Sequence, residues 1–367
     1  MKNGVYLLSF NVNNINLFQD RVLFSVFEKK TSKEENDLVQ LILKDIDKSI
    51  KNPKNIELIS VNDNYDIYKF QFNNKLFCLK TSFDPECEYL KNEGKNLKKI
   101  NTLISPILLK AQKTKIGDDL YCLMTTFENT DSIYKIGAPI VYEEFDSFCH
   151  AYSLLQNSKP IPFNYKHNIS SFLKNNDLNS IGEDKLNDIK EYTDLDKIQK
   201  IFKSLHNDLK TIKHSVFAEK KFICHGDLNE KNILYRNGFF KFINFGNAYS
   251  SHYFLDLADL VINLSFDQKI EIDVLNSFCK NLNLDFNKNK NIYLICYEIA
   301  IRKKLLNIMF SYLKEVYVLK SMRTEKLIDI SKDFSNNYQR FLKIDYFYKN
   351  KEFLFKTITE PILHEKA

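Results

Sequence analysis

The spacing of hydrophobic residues changes along the chain and divides it into segments of different predicted structure. Short apolar runs separated by turns dominate residues 51–128, which predicts a small lobe rich in strands. Apolar positions at helical spacing dominate residues 129–367, which predicts a larger, mainly helical lobe. Residues 1–50 are expected to form an N-terminal extension that packs on the first lobe, with a helix that begins at a capping box of Ser32 and Glu35. The pattern therefore predicts an α+β fold.

A lysine and a glutamate stand among apolar residues in the predicted strand-rich lobe. Alternation along the strand 76–81 puts Lys80 on the same face as Leu76. In the helix that follows, Glu93 shares a face with Leu90 and is expected to point inward. A buried carboxylate needs a cationic partner, and Lys80 is the predicted one. The alternative is that Glu93 reaches solvent from the edge of its helix.

A polar loop between two short strands carries the densest group of reactive side chains. The loop 225–231 holds Asp227, and Asn232 opens the next strand. The pair Asn237-Gly238 is typical of a tight hairpin that would fold the chain back toward Asn244. Three side chains able to bind a metal ion or a proton would then meet at one end of a small sheet. Such a group indicates a functional site rather than a core.

These motifs resemble those of the aminoglycoside phosphotransferase and choline kinase superfamily, whose members are distant relatives of the protein kinases. The resemblance covers roughly residues 55–265 and implies a two-lobed kinase-like fold with a small antiparallel-sheet N-lobe and a larger, mainly helical C-lobe. The family has a metal-binding aspartate where this chain has Asn244. Asp256-Leu257-Ala258 matches the last motif directly, and Asp259-Leu260 is the alternative. The matching residues, in order, are His225-Gly226-Asp227, Asn232, Ile243-Asn244-Phe245 and Asp256-Leu257-Ala258.

The resemblance implies an ATP-dependent phosphotransferase that moves the γ-phosphate to a hydroxyl of a small molecule and uses Mg²⁺. Phosphoryl transfer requires an acceptor hydroxyl in line with the γ-phosphate and positive charge at the phosphate oxygens. In this interpretation Asp227 holds and deprotonates the acceptor hydroxyl, while Asn232 and Asn244 bind magnesium. His225 and Asp256 support the loop through hydrogen bonds. Because an asparagine offers only a neutral oxygen, metal binding at position 244 is expected to be weaker than in the family.

The resemblance also implies a nucleotide site. The pair of Lys80 and Glu93 would position the α- and β-phosphates of ATP. The adenine would bind the backbone in the segment that contains Met124 and Thr126. The loop expected to cover the phosphates, residues 60–64, contains no glycine, which is a second departure from the pattern of a glycine-rich loop.

The amino-acid composition limits the classes of binding partner and the cellular compartment that are expected. A hydrophobic content of 44%, with 30 Phe and 20 Tyr, indicates a globular chain. The net charge of +6 is spread along the sequence without an Arg-rich run, which argues against a nucleic-acid partner. The sequence contains no run of about 18 apolar residues, so it predicts no membrane-spanning helix. The seven cysteines are odd in number and widely spaced, which suggests reduced thiols and a cytoplasmic protein.

Two functions stay open at this level. The first is a small-molecule kinase whose acceptor is an amino alcohol, a sugar or an aminoglycoside-like compound. The second is a catalytically impaired kinase-like protein that acts as a nucleotide-binding regulatory or scaffold module, because Asn244 replaces the metal-binding aspartate.

Overall fold

The computed structural model describes residues 32–61, 65–82, 84, 87–114, 116, 120–128, 130–162, 165–188, 195–211, 222–264 and 268–318. The chain divides into two compact units, Met1–Cys87 with Lys110–Met124, and Glu88–Leu109 with Thr125–Ala367. The boundaries predicted from the sequence, at residues 50 and 128, stay predictions. The first 31 residues of the expected extension and residues 62–64 of the expected phosphate-covering loop lie outside the described residues.

The first unit contains most of a five-stranded antiparallel sheet with the strand order β1-β2-β3-β5-β4. Helix α1 (Lys33–Ile46) begins at Ser32, whose side chain accepts from the Glu35 N–H at 3.1 Å while the Glu35 carboxylate accepts from the Ser32 N–H at 2.7 Å. The predicted capping box is therefore confirmed. The strands are β1 (Lys54–Val61), β2 (Asp66–Phe72), β3 (Lys75–Ser82), β4 (Leu108–Lys113) and β5 (Tyr121–Thr126).

The core of this unit lies where α1 packs with the sheet. Ile42 and Leu43 of α1 are buried in one cluster with Phe70 of β2, Leu79 of β3 and Met124 of β5. Burying a side chain of this size contributes about 1.5–3 kcal/mol. The apolar spacing of α1 is thus the reason that the helix holds to the sheet.

The second unit is mainly helical, as the spacing of apolar residues predicts. Its small sheets have the strand orders β10-β7 and β6-β8-β9. The strands are β6 (Asp131–Ser132), β7 (Phe222–Cys224), β8 (Ile233–Arg236), β9 (Phe239–Phe242) and β10 (Tyr249–Ser251). The helices are α2 (Glu88–Leu97), α3 (Ile133–Ile136), α4 (Pro139–Glu143), α5 (Phe145–Gln156), α6 (Tyr165–Asn175), α7 (Glu183–Asp188), α8 (Leu195–Thr211), α9 (Phe254–Asn263), α10 (Gln268–Asn281) and α11 (Phe286–Val318).

The hairpin of β8 and β9 is the element that positions the site. Its turn residues Asn237 and Gly238 have φ angles of 49° and 82°, the left-handed values that a two-residue hairpin turn requires. The predicted hairpin is therefore confirmed. Phe148 of α5 fixes the return strand, because its ring meets the edges of Phe240 and Phe242 at 5.6 and 5.7 Å between centroids.

The mixture of an antiparallel sheet and many helices confirms the predicted α+β class. All seven cysteines lie in the described part of the chain, and none of them forms a disulfide. Across the described helices, none combines the length and the apolar character that crossing a membrane requires.

Candidate functional site

The loop between β7 and β8 holds the carboxylate of Asp227 between two amide side chains. Asn229 Nδ2 donates to Asp227 Oδ1 at 2.8 Å, and Asn232 Nδ2 donates to Asp227 Oδ2 at 2.9 Å. Asn232 Nδ2 also donates to the main-chain oxygen of Asp227 at 2.9 Å. Desolvation raises the pKa of Asp227 to about 6, and the hydrogen bonds from the two amides limit the rise. The carboxylate is therefore fixed in orientation, and its pKa suits a group that takes up a proton near neutral pH.

The hairpin brings Asn244 to the end of this loop, as the sequence predicted. Asn244 has a left-handed backbone, with φ 67° and ψ 54°, and its main-chain oxygen accepts from the Tyr89 hydroxyl at 3.0 Å. Its Nδ2 donates to Asn232 Oδ1 at 2.6 Å. Since Asn232 Nδ2 is already bound to Asp227, the orientation of the Asn232 amide is determined by its neighbours. The amide of Asn244 therefore contacts the same Asn232 oxygen that a metal ion would use.

The carboxylate of Asp256, on α9, holds the start of the loop. Its oxygens accept from the His225 N–H at 2.5 Å, the Gly226 N–H at 2.9 Å and the Tyr152 hydroxyl at 3.0 Å. Burial raises the pKa of Asp256 to about 7, although these hydrogen bonds oppose the rise. Asp256, and not the alternative Asp259, is thus the residue whose side chain contacts the loop backbone.

The imidazole of His225 links the loop to the end of the hairpin. Its Nε2 lies 2.8 Å from the main-chain oxygen of Ile243, and its Nδ1 accepts from the Asp227 N–H at 3.3 Å. A carbonyl oxygen only accepts, so the proton of the neutral ring is on Nε2. Both ring nitrogens are used in holding backbone, which is the geometry of a structural histidine.

A cavity of about 230 Å³ opens beside Asp227 and is lined by residues of the second unit. Lys303 of α11 and Asp259 of α9 face it and form an ion pair at 2.7 Å. Burial alone would lower the pKa of Lys303, but the charge of Asp259 and the hydrogen bond between them outweigh burial and raise it. The Lys303 ammonium also lies 5.8 Å from the ring centroid of Phe172. The cavity therefore has polar walls and a matched pair of charges next to the proposed proton acceptor.

Solved structures that superpose on this chain include small-molecule kinases. Choline kinase LicA from Streptococcus pneumoniae superposes with a TM-score of 0.53 at 15% sequence identity, over 85% of this chain and 99% of LicA. The chain has a kinase-like fold. Ethanolamine kinase from Plasmodium vivax superposes with a TM-score of 0.52 at 10% identity, over 84% of this chain and 89% of that enzyme. The resemblance predicted from the motifs is confirmed at the level of the fold.

A third solved structure with the kinase-like fold holds a nucleotide analogue. A thermostable mutant of aminoglycoside phosphotransferase APH(4)-Ia, in a ternary complex with AMP-PNP and hygromycin B, has a TM-score of 0.50 at 9% identity, over 83% of this chain and 97% of that one. LicA has also been solved in complex with AMP. No protein-family model matches the sequence, and no curated protein matches it.

The two residues expected at the phosphates of a kinase-like site are both buried. Lys80 lies on β3 with 5% of its surface exposed, and its ammonium is 5.6 Å from the ring centroid of Tyr65. Glu93 lies on α2 with 2% exposed, beside the buried Leu90 and Leu97, which confirms that it faces inward. The two residues belong to different compact units, and their pairing stays a prediction.

In the segment expected to bind adenine, Met124 is a core residue and the Thr126 backbone N–H already makes a hydrogen bond within the protein. Met124 is buried in the core of the first unit. The Thr126 N–H donates to the main-chain oxygen of Ile107 at 3.0 Å, and its hydroxyl accepts from the Ile107 N–H at 2.9 Å. An adenine contact in this segment stays a prediction, and it would use backbone groups other than the Thr126 N–H.

The donors available to a metal ion are weak ones. No group of three or more His, Cys, Asp or Glu side chains in the described ranges is arranged to hold a metal. Asp227 supplies a carboxylate, and Asn232 and Asn244 supply neutral amide oxygens. Oxygen donors of this kind fit a hard cation such as Mg²⁺, but with less charge than a site that has a second carboxylate.

Several residues of the site escaped the sequence analysis. Asn229 and Tyr152 bind the two key carboxylates, and Lys303 faces the cavity from α11. Asn229 lies within the recognised loop and could have been found from its position two residues after Asp227. Lys303 has no local signal, because only the packing of α11 against α9 brings it to the loop.

Proposed function

We propose that this protein is an ATP-dependent phosphotransferase that moves the γ-phosphate of ATP to a hydroxyl of a small molecule. The observation that carries the proposal is the carboxylate of Asp227, held by two amides at the wall of a polar cavity. The kinase-like fold, which small-molecule kinases share, supports it. The diffuse charge argues against nucleic-acid or membrane partners, and the number and spacing of the cysteines favour the cytoplasm.

Asp227 acts as the proton acceptor in this proposal. One carboxylate oxygen would accept a hydrogen bond from the hydroxyl of the small molecule and align the hydroxyl oxygen for attack on the γ-phosphorus. As the new O–P bond forms, the bond between the γ-phosphorus and the bridging oxygen breaks, ADP leaves, and Asp227 takes up the hydroxyl proton. Asn229 and Asn232 keep the carboxylate in one orientation. Asp256 and His225 hold the backbone that carries it, and their role is positioning.

The donor side of the reaction follows from the resemblance. Lys80 and Glu93 would position the α- and β-phosphates, and the segment of Met124 and Thr126 would contact adenine. Asn232 and Asn244 are the proposed ligands of Mg²⁺. When bound, the metal would neutralise charge on the phosphate oxygens.

A second candidate function has its own observation. The Asn244 amide donates at 2.6 Å to the Asn232 oxygen that a metal ion would use, so the two side chains satisfy each other without a cation. This contact favours a kinase-like protein that binds nucleotide and transfers phosphate slowly or not at all, as a regulatory or scaffold module.

The test is phosphate transfer from ATP to a panel of hydroxyl compounds, with Mg²⁺ and with Mn²⁺. We expect turnover by the native protein and a loss of about 10²–10⁴-fold in Asp227→Ala. Glu230→Gln is the matched control, because it removes a carboxylate from the same loop without touching Asn229 or Asn232.

Two results would decide against the proposal. Equal turnover by the native protein and by Asp227→Ala would show that Asp227 is not the proton acceptor. The absence of both turnover and any ATP-induced rise in the melting temperature would contradict both candidate functions.

A further inference from the structure

Three asparagine side chains that line the cavity use their N–H groups on main-chain carbonyls. Only the nitrogen of an amide can donate, so these contacts fix each amide and leave its Oδ1 as the remaining polar atom. The described residues provide no partner for these three oxygens. The contacts are Asn168 Nδ2 to Asn247 O at 3.0 Å, Asn176 Nδ2 to Phe172 O at 3.0 Å, and Asn263 Nδ2 to Leu228 O at 2.9 Å.

The Asn168 oxygen is the acceptor for which the structure gives the strongest evidence of a missing hydrogen bond. The residue is 7% exposed, and its Oδ1 is buried without a hydrogen-bond partner in the described structure. A buried acceptor without a donor is unfavourable, and a ligand O–H or N–H would relieve it. The cavity therefore selects a compound that donates several hydrogen bonds.

The charges of the cavity give no net attraction for a cationic ligand. The lining contains two lysines, Lys303 and Lys304, and two carboxylates, Asp227 and Asp259, and Asp259 is already paired with Lys303 at 2.7 Å. An ammonium group would meet both lysines, would compete with Lys303 for Asp259, and would find the Asp227 oxygens already bound by two amides. Uncharged hydroxyl groups donate to amide oxygens without this repulsion.

The walls do not offer the surroundings that a quaternary ammonium requires. Such a group binds the faces of aromatic rings. Phe172 is the aromatic residue among the described lining residues, and the Lys303 ammonium already lies over its ring. The volume of about 230 Å³ is below the roughly 300–1,000 Å³ of pockets that hold drug-sized ligands, which favours a small molecule over a multi-ring aminoglycoside.

We infer that this cavity binds a small uncharged polyhydroxy compound, a monosaccharide or a polyol, as the phosphate acceptor. The inference rests on the proposed function and names its acceptor class. One hydroxyl lies at Asp227, and further hydroxyls donate to the oxygens of Asn168, Asn176 and Asn263. The site therefore excludes choline and polycationic acceptors, although the fold is shared with choline kinase.

The test measures ligand binding to the whole chain in the absence of nucleotide, by saturation-transfer NMR. The probes are glucose, ribitol, choline, kanamycin and gluconate. We expect saturation transfer to glucose or ribitol and none to choline or kanamycin. Asn176→Ala and Asn263→Ala should each weaken binding of the neutral probe about tenfold. Asn289→Ala is the matched control, because Asn289 donates to the Asp285 carbonyl at 2.8 Å, the same contact to the residue four earlier that Asn176 makes.

The possible outcomes separate the acceptor class from the catalytic function. Binding of choline or kanamycin, tighter binding of gluconate than of glucose, or no binding of either neutral probe would overturn the inference. So would equal affinity in the native protein and in both cavity variants. Binding of a neutral probe without phosphate transfer would support the inference and contradict the proposed function. Phosphate transfer to choline would do the opposite.

Discussion

Replacing Asn244 by aspartate changes one atom and reverses the hydrogen bonding at the end of the hairpin. In the native protein, Asn244 Nδ2 donates to Asn232 Oδ1 at 2.6 Å. The substituted carboxylate has only acceptor oxygens at neutral pH, so two acceptors would face each other. Asn232 cannot turn its amide to compensate, because its Nδ2 is bound to Asp227.

The size of the effect follows from this geometry. Without metal, Asn244→Asp leaves a partly buried acceptor unmatched, and we expect a loss of about 1–3 kcal/mol in the free energy of unfolding. Mg²⁺ would reverse the loss, because the new carboxylate and the neutral Asn232 oxygen could bind the cation together. A metal ligand used at the phosphates is worth about 3 kcal/mol of transition-state stabilisation, which is roughly 100-fold in rate.

Thermal unfolding in EDTA and in MgCl₂, with and without ATP, measures the first effect, and phosphate transfer measures the second. Asn237→Asp is the matched control, because Asn237 also has a left-handed backbone, with φ 49°, in the turn between β8 and β9. It should lose little stability and show no added response to Mg²⁺. An Asn244→Asp protein that is as stable as the native one in EDTA, with no larger response to Mg²⁺, would contradict this prediction.

Other substitutions in the second unit test the packing and the charges around the site. Gly246→Ala would place a methyl group 2.5 Å from the Tyr89 ring and should cost about 1–3 kcal/mol in urea unfolding, but less in a Tyr89→Ala background, as a double-mutant cycle would show. Burial raises the folded-state pKa of Asp256 to about 7. The contribution of its protonated form to the free energy of unfolding is therefore fully present below about pH 4, the unfolded-state pKa, and is lost as the pH rises to about 7. Asp256→Asn should flatten the pH dependence of stability between these two values. Asp259→Asn leaves the Lys303 charge unpaired and should cost about 3–5 kcal/mol, whereas adding Lys303→Met should recover most of the loss in denaturant titrations.

Local sequence signals were enough to predict the loop and the hairpin of the site. Asn237-Gly238 determines the turn through its left-handed backbone, and the turn determines that Asn244 returns to Asn232. The inward face of Glu93 followed from helical spacing alone. Each of these contacts depends on residues within one short element or on two adjacent strands.

Contacts between distant elements could not be predicted in this way. Asp256 and Asp259 are three residues apart and lie on neighbouring positions of one helix, so only the packing shows that the first binds the loop and the second binds Lys303. Likewise, Gly226 has a φ of 81°, and a side chain there would collide with the carbonyl of Asn247. The sequence shows that position 226 is a glycine, but only the structure shows that the Asn247 carbonyl lies where a side chain would be.

Phosphate transfer that depends on Asp227 can be followed directly by ³¹P NMR of ATP with Mg²⁺ and a polyhydroxy acceptor, comparing the native protein with Asp227→Asn. We expect the native protein to produce a phosphomonoester signal and ADP. Asp227→Asn keeps the shape of the side chain but cannot accept the proton, so it should produce neither at a comparable rate. Equal phosphomonoester formation by both proteins would contradict this expectation, and so would ATP left intact by the native protein and by Asn244→Asp alike.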